Sequence, residues 1–220
     1  MGIIGVVAAL TLPNLNSSTG DKEKVAKVKK IYSNLEDAYG RATAVYGPLD
    51  EWFKNDTTDE LENKRFGERM TEFMKVSKTC GTGDGCFSSN PLLDVDGSTE
   101  NANYLTELKS RKAQMYILAD GTALALFSKG SGFYEIKVDI DGPNKGRNQI
   151  GNDIFDFTIL LQDDDDGGQK ALQLTPSAAP GAWKSFLDAH TYSTAWVIKN
   201  ENLDYLKCSD LNWETKTSCK

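Results

Sequence analysis

One short stretch in the second half of the chain brings together oxygen-bearing side chains of the kind that bind calcium. Carboxylate and amide oxygens are the hard ligands that Ca²⁺ prefers, and they occur here on Asp139, Asp141, Asn144 and Asp153. The spacing is not that of an EF-hand, because Pro143 occupies a ligand position and the glycine comes too early. The sequence therefore predicts either a calcium site of another geometry or a series of turns built by Asp, Asn and Gly.

Four cysteines offer the second kind of chemistry, namely covalent cross-linking. An even count of four allows three disulfide connectivities, and the sequence does not choose between them. The two local pairs suggest Cys80–Cys86 and Cys208–Cys219. Neither spacing is a CxxC, which disfavours a zinc site. Disulfides predict an oxidising compartment, and the alternative is a cytosolic protein with free thiols.

The sequence presents no set of residues assembled for catalysis. His190 is the only histidine, and no nucleophile-elbow motif lies near it. A lone histidine lacks the partners that general acid–base chemistry uses. We therefore expect that the chain is not an enzyme, and Ca²⁺ is the one cofactor that its residues suggest.

The acidic charge of the chain argues against binding to nucleic acid. The formal net charge is -7 at pH 7, whereas contacts to phosphates need a basic surface. A basic run does occur near the N-terminus, but Asp21 and Glu23 interrupt it, and we interpret it as the solvated face of a helix. Its members are Lys22, Lys24, Lys27, Lys29 and Lys30.

A long amphipathic helix is the clearest structural element in the sequence. Apolar residues recur at alternating spacings of three and four, which is typical of one stripe of a helix over 21–46. Gly47-Pro48 ends the pattern. The stripe consists of Val25, Val28, Tyr32, Leu35, Tyr39, Ala42 and Tyr46.

After this helix, the sequence predicts a loop and helix region over 47–112 and then a sheet with C-terminal loops over 113–220. Apolar spacing favours a second helix over 59–79. Asp120-Gly121 between two apolar runs is a strong hairpin signal. With further strands expected at 134–140, 154–161 and 172–174, we predict an antiparallel sheet of about three to five strands, with one face covered by the first helix.

The chain opens with an uncharged apolar segment. Residues 2–12 are almost wholly apolar, and Pro13 follows them. A bilayer-spanning helix needs about 20 such residues, so the segment as written has about half the required length. A buried strand or helix is the alternative for a run of this length. Because the segment leads into the amphipathic helix with almost no loop, we expect the two to form one continuous rod.

Three segments carry a resemblance to a known family. GIIGVVAALTLPNL followed by KVKKIYSNLEDAYGRA resembles the N-terminal methylation segment of type IV pilins and type II secretion pseudopilins. Residues 139–157 and 194–208 are similar to segments found in pilin-like proteins of bacteria. The resemblance implies an α+β pilin-like fold, with a long N-terminal helix packed on a C-terminal antiparallel sheet and disulfide-closed loops. It also divides the chain into a hydrophobic helix segment, 1–20, and a globular domain, 21–220.

The function implied by the resemblance is that of a structural subunit of a type IV pilus or a type II secretion pseudopilus. Such subunits assemble with each other and with other pilin-like subunits, through machinery in the bacterial inner membrane, and their globular domain lies in the periplasm or outside the cell. The family's cleavage site, methylated Phe and Glu precede this segment, so we expect that the start is either truncated or assigned to an internal Met, with about nine or ten residues missing. A degenerate relative that is never processed is the alternative. The expected assembly residues are Gly2, Gly5, Ala8, Ala9 and Pro13, since small residues let helices approach closely.

A surface-exposed minor pilin or a secreted binding or adhesion module is the alternative function. In that case loops 80–110 and 162–193 would hold a ligand. Some pseudopilins bind Ca²⁺ in C-terminal loops, so the resemblance also favours the calcium site proposed above.

Overall fold

The described residues form an α+β structure in which a long N-terminal helix lies along one face of an antiparallel sheet. The predicted α+β class and the long N-terminal helix followed by an antiparallel sheet are therefore confirmed, and the pilin-like fold stays a prediction. The computed structural model of the chain describes residues 3–53, 58–130, 133–163, 169–176 and 192–219.

The first helix, α1 (Ile3–Tyr46), is one continuous element that passes through Pro13 and Gly20. At about 1.5 Å per residue, its 44 residues span about 66 Å. The helix stops at Gly47, whose φ of +80° suits glycine and whose N–H donates to the Thr43 carbonyl at 3.0 Å. The predicted end of the helix is thus confirmed.

One face of α1 packs into the core of the protein. Tyr32 on this face stacks on Phe157 of the sheet, with ring centroids 5.8 Å apart. Ile31 and Ala38 belong to the buried face although the predicted stripe omitted them, because an apolar face on a 3.6-residue repeat is wider than one residue. The members of the predicted stripe that are buried are Val25, Val28, Leu35 and Ala42.

Eight strands and three further α-helices follow within the described residues, together with two short 3-10 helices, Leu49–Glu51 and Asp204–Leu206. The helices are α2 (Asp59–Thr71), α3 (Tyr104–Ser110) and α4 (Tyr192–Asn200). The strands are β1 (Val76–Gly81), β2 (Leu92–Leu93), β3 (Thr99–Asn101), β4 (Gln114–Leu118), β5 (Ala123–Gly130), β6 (Phe133–Asp139), β7 (Ile154–Asp163) and β8 (Gln169–Pro176).

In the described part of the chain, the main sheet has six strands in the order β1-β4-β5-β6-β7-β8, and all neighbours are antiparallel. The predicted hairpin around Asp120-Gly121 is confirmed as β4 and β5. The predicted number of three to five strands is too low. A separate ribbon of β2 and β3 adds two short strands.

The extra strand of the main sheet comes from a segment that was predicted to be helical. The prediction of a helix over 59–79 is wrong in its second half, because α2 ends at Thr71 and the chain then turns into β1. Val76 pairs with Leu118 of β4. Pairing with a neighbouring strand thus overrides a helical spacing of apolar residues, as tertiary context often does.

The two faces of the sheet carry different side chains. Strand residues alternate between faces, and Ile136 and its partner Phe157 face α1. We call the opposite side the far face. It carries Lys137 and its cross-strand partner Asp156, and α3 lies over it through Tyr104.

Both suggested disulfides are present. Cys80 is bonded to Cys86, which closes the glycine-rich turn at the end of β1. Cys208 is bonded to Cys219 and closes the C-terminal segment. The structure therefore selects the two local pairs among the three connectivities that the sequence allowed.

Candidate functional site

The oxygen-rich stretch identified in the sequence forms the connection between β6 and β7. Asp139 ends β6 and is buried, and its Oδ1 accepts hydrogen bonds from the N–H groups of Asp141 (3.0 Å) and Gly142 (2.8 Å). Its Oδ2 is also buried and accepts no hydrogen bond from the described residues. Burial, together with the nearby carboxylates of Asp153 and Asp141, raises the pKa of Asp139 to about 7.

Asp153 holds the same connection together from its other end. Its Oδ2 accepts from the N–H groups of Arg147 (2.6 Å) and Asn148 (3.1 Å), and its Oδ1 accepts from that of Gln149 (2.5 Å). Burial raises the pKa of this carboxyl as well. Both oxygens of Asp153 thus act as acceptors for a turn of the backbone, which is the turn-forming role that the sequence allowed.

The remaining predicted calcium ligands do not join these two. Asp141 lies 2.9 Å from the ammonium of Lys27, and Asn144 is exposed. In the parts of the chain that are described, no group of three or more His, Cys, Asp or Glu side chains is placed to hold a metal ion. Calcium binding at Asp139, Asp141, Asn144 and Asp153 stays a prediction.

The basic run on α1 has a structural role that the sequence did not indicate. Lys27 reaches Asp141 in the β6–β7 connection, and Lys24 donates to Asn152 in the same connection at 2.6 Å. Lys30 lies 2.7 Å from Asp120 at the hairpin tip. The run was predicted to be a solvated helix face. Lys22, Lys29 and Lys30 are exposed, in agreement with this prediction. In addition, Lys24, Lys27 and Lys30 tether α1 to the loops at one end of the sheet.

A second group of polar residues lies on the far face of the sheet. Lys137 is located between two carboxylates, with its Nζ 2.5 Å from Oε1 of Glu135 and 2.5 Å from Oδ2 of Asp156. Lys129 also contacts Glu135. The two carboxylate side chains are only 2% and 4% exposed. We call these four residues the charged cluster.

Two members of the charged cluster, Lys137 and Glu135, favour the ionised state of each other. Burial lowers the pKa of Lys137, but Asp156 and Glu135 outweigh this and leave it raised. Burial likewise raises the pKa of Glu135, but Lys137 and Lys129 leave it lowered. A general acid or base needs a pKa near the working pH. These shifts therefore suit charge-assisted binding better than proton transfer.

A cavity of about 200 Å³ lies between the charged cluster and α3. Tyr104 of α3 is 2% exposed, and its hydroxyl is buried without a hydrogen-bond partner among the described residues. Burial raises the pKa of Tyr104 well above its usual value, and the charges of Lys137, Asp156, Asp139 and Glu135 also act on this hydroxyl. An unpartnered phenol therefore lies close to a buried ion-pair network.

Sequence reasoning missed both the charged cluster and the cavity. The charged residues of β6 alternate with apolar ones, and such alternation is typical of a strand with one face in water. The signal that could have revealed the cluster is the opposite charge of cross-strand partners such as Lys137 and Asp156. Recognising this signal requires knowledge of which residues pair across the strands, and the sequence alone does not supply that register.

Some of the other predicted site residues lie in α1, and others lie outside the described residues. Gly5, Ala8, Ala9 and Pro13 lie in the first third of α1. Gly2 and His190 lie outside the described residues. Within the described ranges, no helix is both long enough and apolar enough to cross a bilayer.

The chain matches no protein-family model, no curated protein and no solved structure. Its function is therefore inferred from its own residues and their geometry.

Proposed function

We propose that the chain is a structural subunit of a bacterial filament, either a type IV pilus or a type II secretion pseudopilus. The observation that carries this proposal is that one continuous helix joins the uncharged apolar opening segment to the stripe that packs against the sheet. Among the α1 residues whose burial is described, the buried ones lie between Val25 and Ala42. That interval covers about 26 Å of the helix.

The apolar opening segment of α1 is the proposed contact between subunits. It precedes the buried interval in the same helix and carries no charge from Ile3 to Leu12. Its small residues suit close packing of helices, and burial of each large apolar side chain contributes about 1.5–3 kcal/mol. If each subunit packs head to tail on the next and the rotation does not close, the product is a helical filament.

The fold supports this proposal in a second way. A pilin-like subunit needs a helix whose N-terminal end packs against neighbouring subunits and whose C-terminal end belongs to a globular domain. The α+β arrangement here, with α1 clamped to the sheet through its C-terminal half, meets that requirement. The lysine tethers to Asp120 and Asp141 add a polar clamp near the middle of α1.

We further propose that the globular domain lies outside the cytoplasm and that the opening segment of α1 contacts the inner membrane before assembly. The two disulfides support this location, because disulfides persist in oxidising compartments. Assembly machinery of the inner membrane would then be a partner. The alternative function, a surface-exposed minor subunit or a secreted binding module, draws support from the cavity beneath α3.

The experiment that tests the filament proposal compares two arginine variants of the full chain by electron microscopy and sedimentation velocity. Ala8→Arg places a charge in the proposed contact and is expected to abolish filaments. Ser33→Arg changes an exposed position of the same helix and is expected to leave them intact. Filaments of normal length and abundance from Ala8→Arg would overturn the proposal.

A further inference from the structure

We propose that the cavity between the charged cluster and α3 binds one uncharged, polyhydroxylated ring of monosaccharide size, either a free sugar or the terminal residue of a glycan. This inference does not depend on filament assembly. It rests on the shape of the cavity, on the buried hydroxyl of Tyr104, and on the balance of donors and acceptors around it.

Buried polar side chains line one side of the cavity. Lys137 presents an ammonium, and Glu135 presents a carboxylate that is almost fully buried. The hydroxyl of Tyr104 can donate one hydrogen bond and accept another, and it does neither with the described residues. A buried polar group without a partner is costly. A ligand that pairs with this hydroxyl removes that cost.

The charges of the lining select against ionic ligands. Four carboxylates face three cations, which gives a formal charge of -1. A phosphate or carboxylate ligand would be repelled by the carboxylates, which outnumber the cations of the lining. An ammonium ligand would compete with Lys129 and Lys137 for Glu135. The carboxylates are those of Glu100, Glu107, Glu135 and Asp156, and the cations are Arg111, Lys129 and Lys137.

Hydroxyl groups match this lining better than any charged group. Each hydroxyl can donate to a carboxylate and also accept from an ammonium or a phenol. A ring with several hydroxyls can therefore satisfy neighbouring donors and acceptors together without adding charge. Such a ring also has C–H edges, and the cavity supplies aliphatic walls for them from Leu92, Leu108, Ile150 and Ile154.

The size and entrance of the cavity limit the ligand further. Pockets that hold drug-sized molecules measure roughly 300–1,000 Å³, so a cavity of about 200 Å³ admits a single ring. Three lining residues, Glu100, Arg111 and Lys129, are exposed, and we infer that the cavity opens to solvent on their side. Arg111 lies over the ring of Phe127 at 5.6 Å, so this aromatic face is already covered. The ligand is expected to contact the aliphatic walls instead.

The test is isothermal titration of the full chain with glucose, galactose, mannose and N-acetylglucosamine, and with glucose 6-phosphate as the anionic comparison. At least one neutral sugar is expected to bind saturably, and the phosphate ester is expected to bind more weakly than glucose. Titration with the α- and β-methyl glycosides distinguishes the two sources. A site for the terminal residue of a glycan tolerates a methyl group at the anomeric carbon of the ligand, whereas a site for the free sugar does not.

Two matched tyrosine variants assign the binding to the cavity. Tyr104→Phe removes the buried hydroxyl and is expected to weaken binding by roughly three- to tenfold, the scale of one neutral hydrogen bond. Tyr46→Phe removes an exposed hydroxyl that contacts Glu72, and it is expected to change nothing. Glu135→Gln serves as a second cavity variant if Tyr104→Phe fails to fold.

Two results would overturn the proposal. One is the absence of saturable binding for every neutral sugar of the panel. The other is unchanged affinity in a folded Tyr104→Phe or Glu135→Gln variant. Loss of filaments in Ala8→Arg bears only on the assembly proposal, so the two proposals can fail independently.

Discussion

Lys137 of β6 and Asp156 of β7 are direct cross-strand partners, and Nζ of the lysine lies 2.5 Å from Oδ2 of the aspartate inside the protein. Glu135 shares the same ammonium. Taking such charges out of water is expensive, and their mutual attraction offsets the cost only while all partners are present. The cluster is therefore expected to respond strongly to the removal of one member.

The first prediction follows from this dependence. Lys137→Met keeps an unbranched side chain but leaves two buried carboxylates without their shared cation. We expect the free energy of unfolding to fall by about 3–5 kcal/mol, measured by urea denaturation at neutral pH. Lys64→Met removes an exposed lysine from α2 and should change it by less than about 0.5 kcal/mol. Equal effects of the two substitutions would show that the cluster has no special role in stability.

The second prediction concerns the pH dependence of stability. The pKa of Asp139 is about 7 in the folded protein and about 3.9 in an unfolded chain. Between these values the folded state binds more protons than the unfolded state, so the free energy of unfolding falls as the pH rises from about 4 to about 7. Asp139→Asn keeps an acceptor for the two N–H groups but does not titrate. We expect the free energy of unfolding of this variant to fall much less over the same pH range.

Thermal unfolding measured across this pH range checks the second prediction. A residual decline is expected from Asp153, because its pKa is also raised. Asp96→Asn is the control, since Asp96 is exposed and its pKa is lowered, which places its titration below this pH range. If Asp139→Asn shows the same pH profile as the wild type, the carboxyl of Asp139 titrates normally.

The third prediction separates backbone strain from steric clash at two glycines. Gly121 has a φ of +91° and open space around it, so Gly121→Ala is expected to cost only the strain of about 1–2 kcal/mol. Gly146 has a φ of +76°, and a Cβ atom there would overlap with Oδ2 of Asp153. We expect Gly146→Ala to cost about 1–3 kcal/mol more, as overpacking does.

Chemical denaturation of both alanine variants measures this difference. A larger loss in Gly121→Ala than in Gly146→Ala would contradict the close contact between Gly146 and Asp153. It would then also weaken the view that Asp153 holds the β6–β7 connection together.

The elements that could be predicted from the sequence are those determined by local patterns. The stripe that begins at Val25 predicted the second half of α1, and Asp120-Gly121 predicted the hairpin of β4 and β5. Each of these rests on residues that are close in sequence. The local pairing of Cys80 with Cys86 belongs to the same class.

The elements that could not be predicted depend on contacts between distant parts of the chain. Val76 lies in β1 because β4 is available to pair with it, although its spacing fitted a helix. Lys24 was expected to be solvated but meets Asn152, far along the chain. Glu135 and Lys137 would face water if α3 did not cover them. Composition and periodicity contain no information on any of these contacts.

The position and shape of β1 have a consequence for how copies of the chain meet. Among the described strands, β1 lies at an edge of the main sheet, and its pairing with β4 is interrupted by two register shifts. It also exposes Lys78 along that edge. Irregular edges and lysines prevent an edge strand from adding to the sheet of another molecule. Crowded copies are therefore protected at this edge from amyloid-like association.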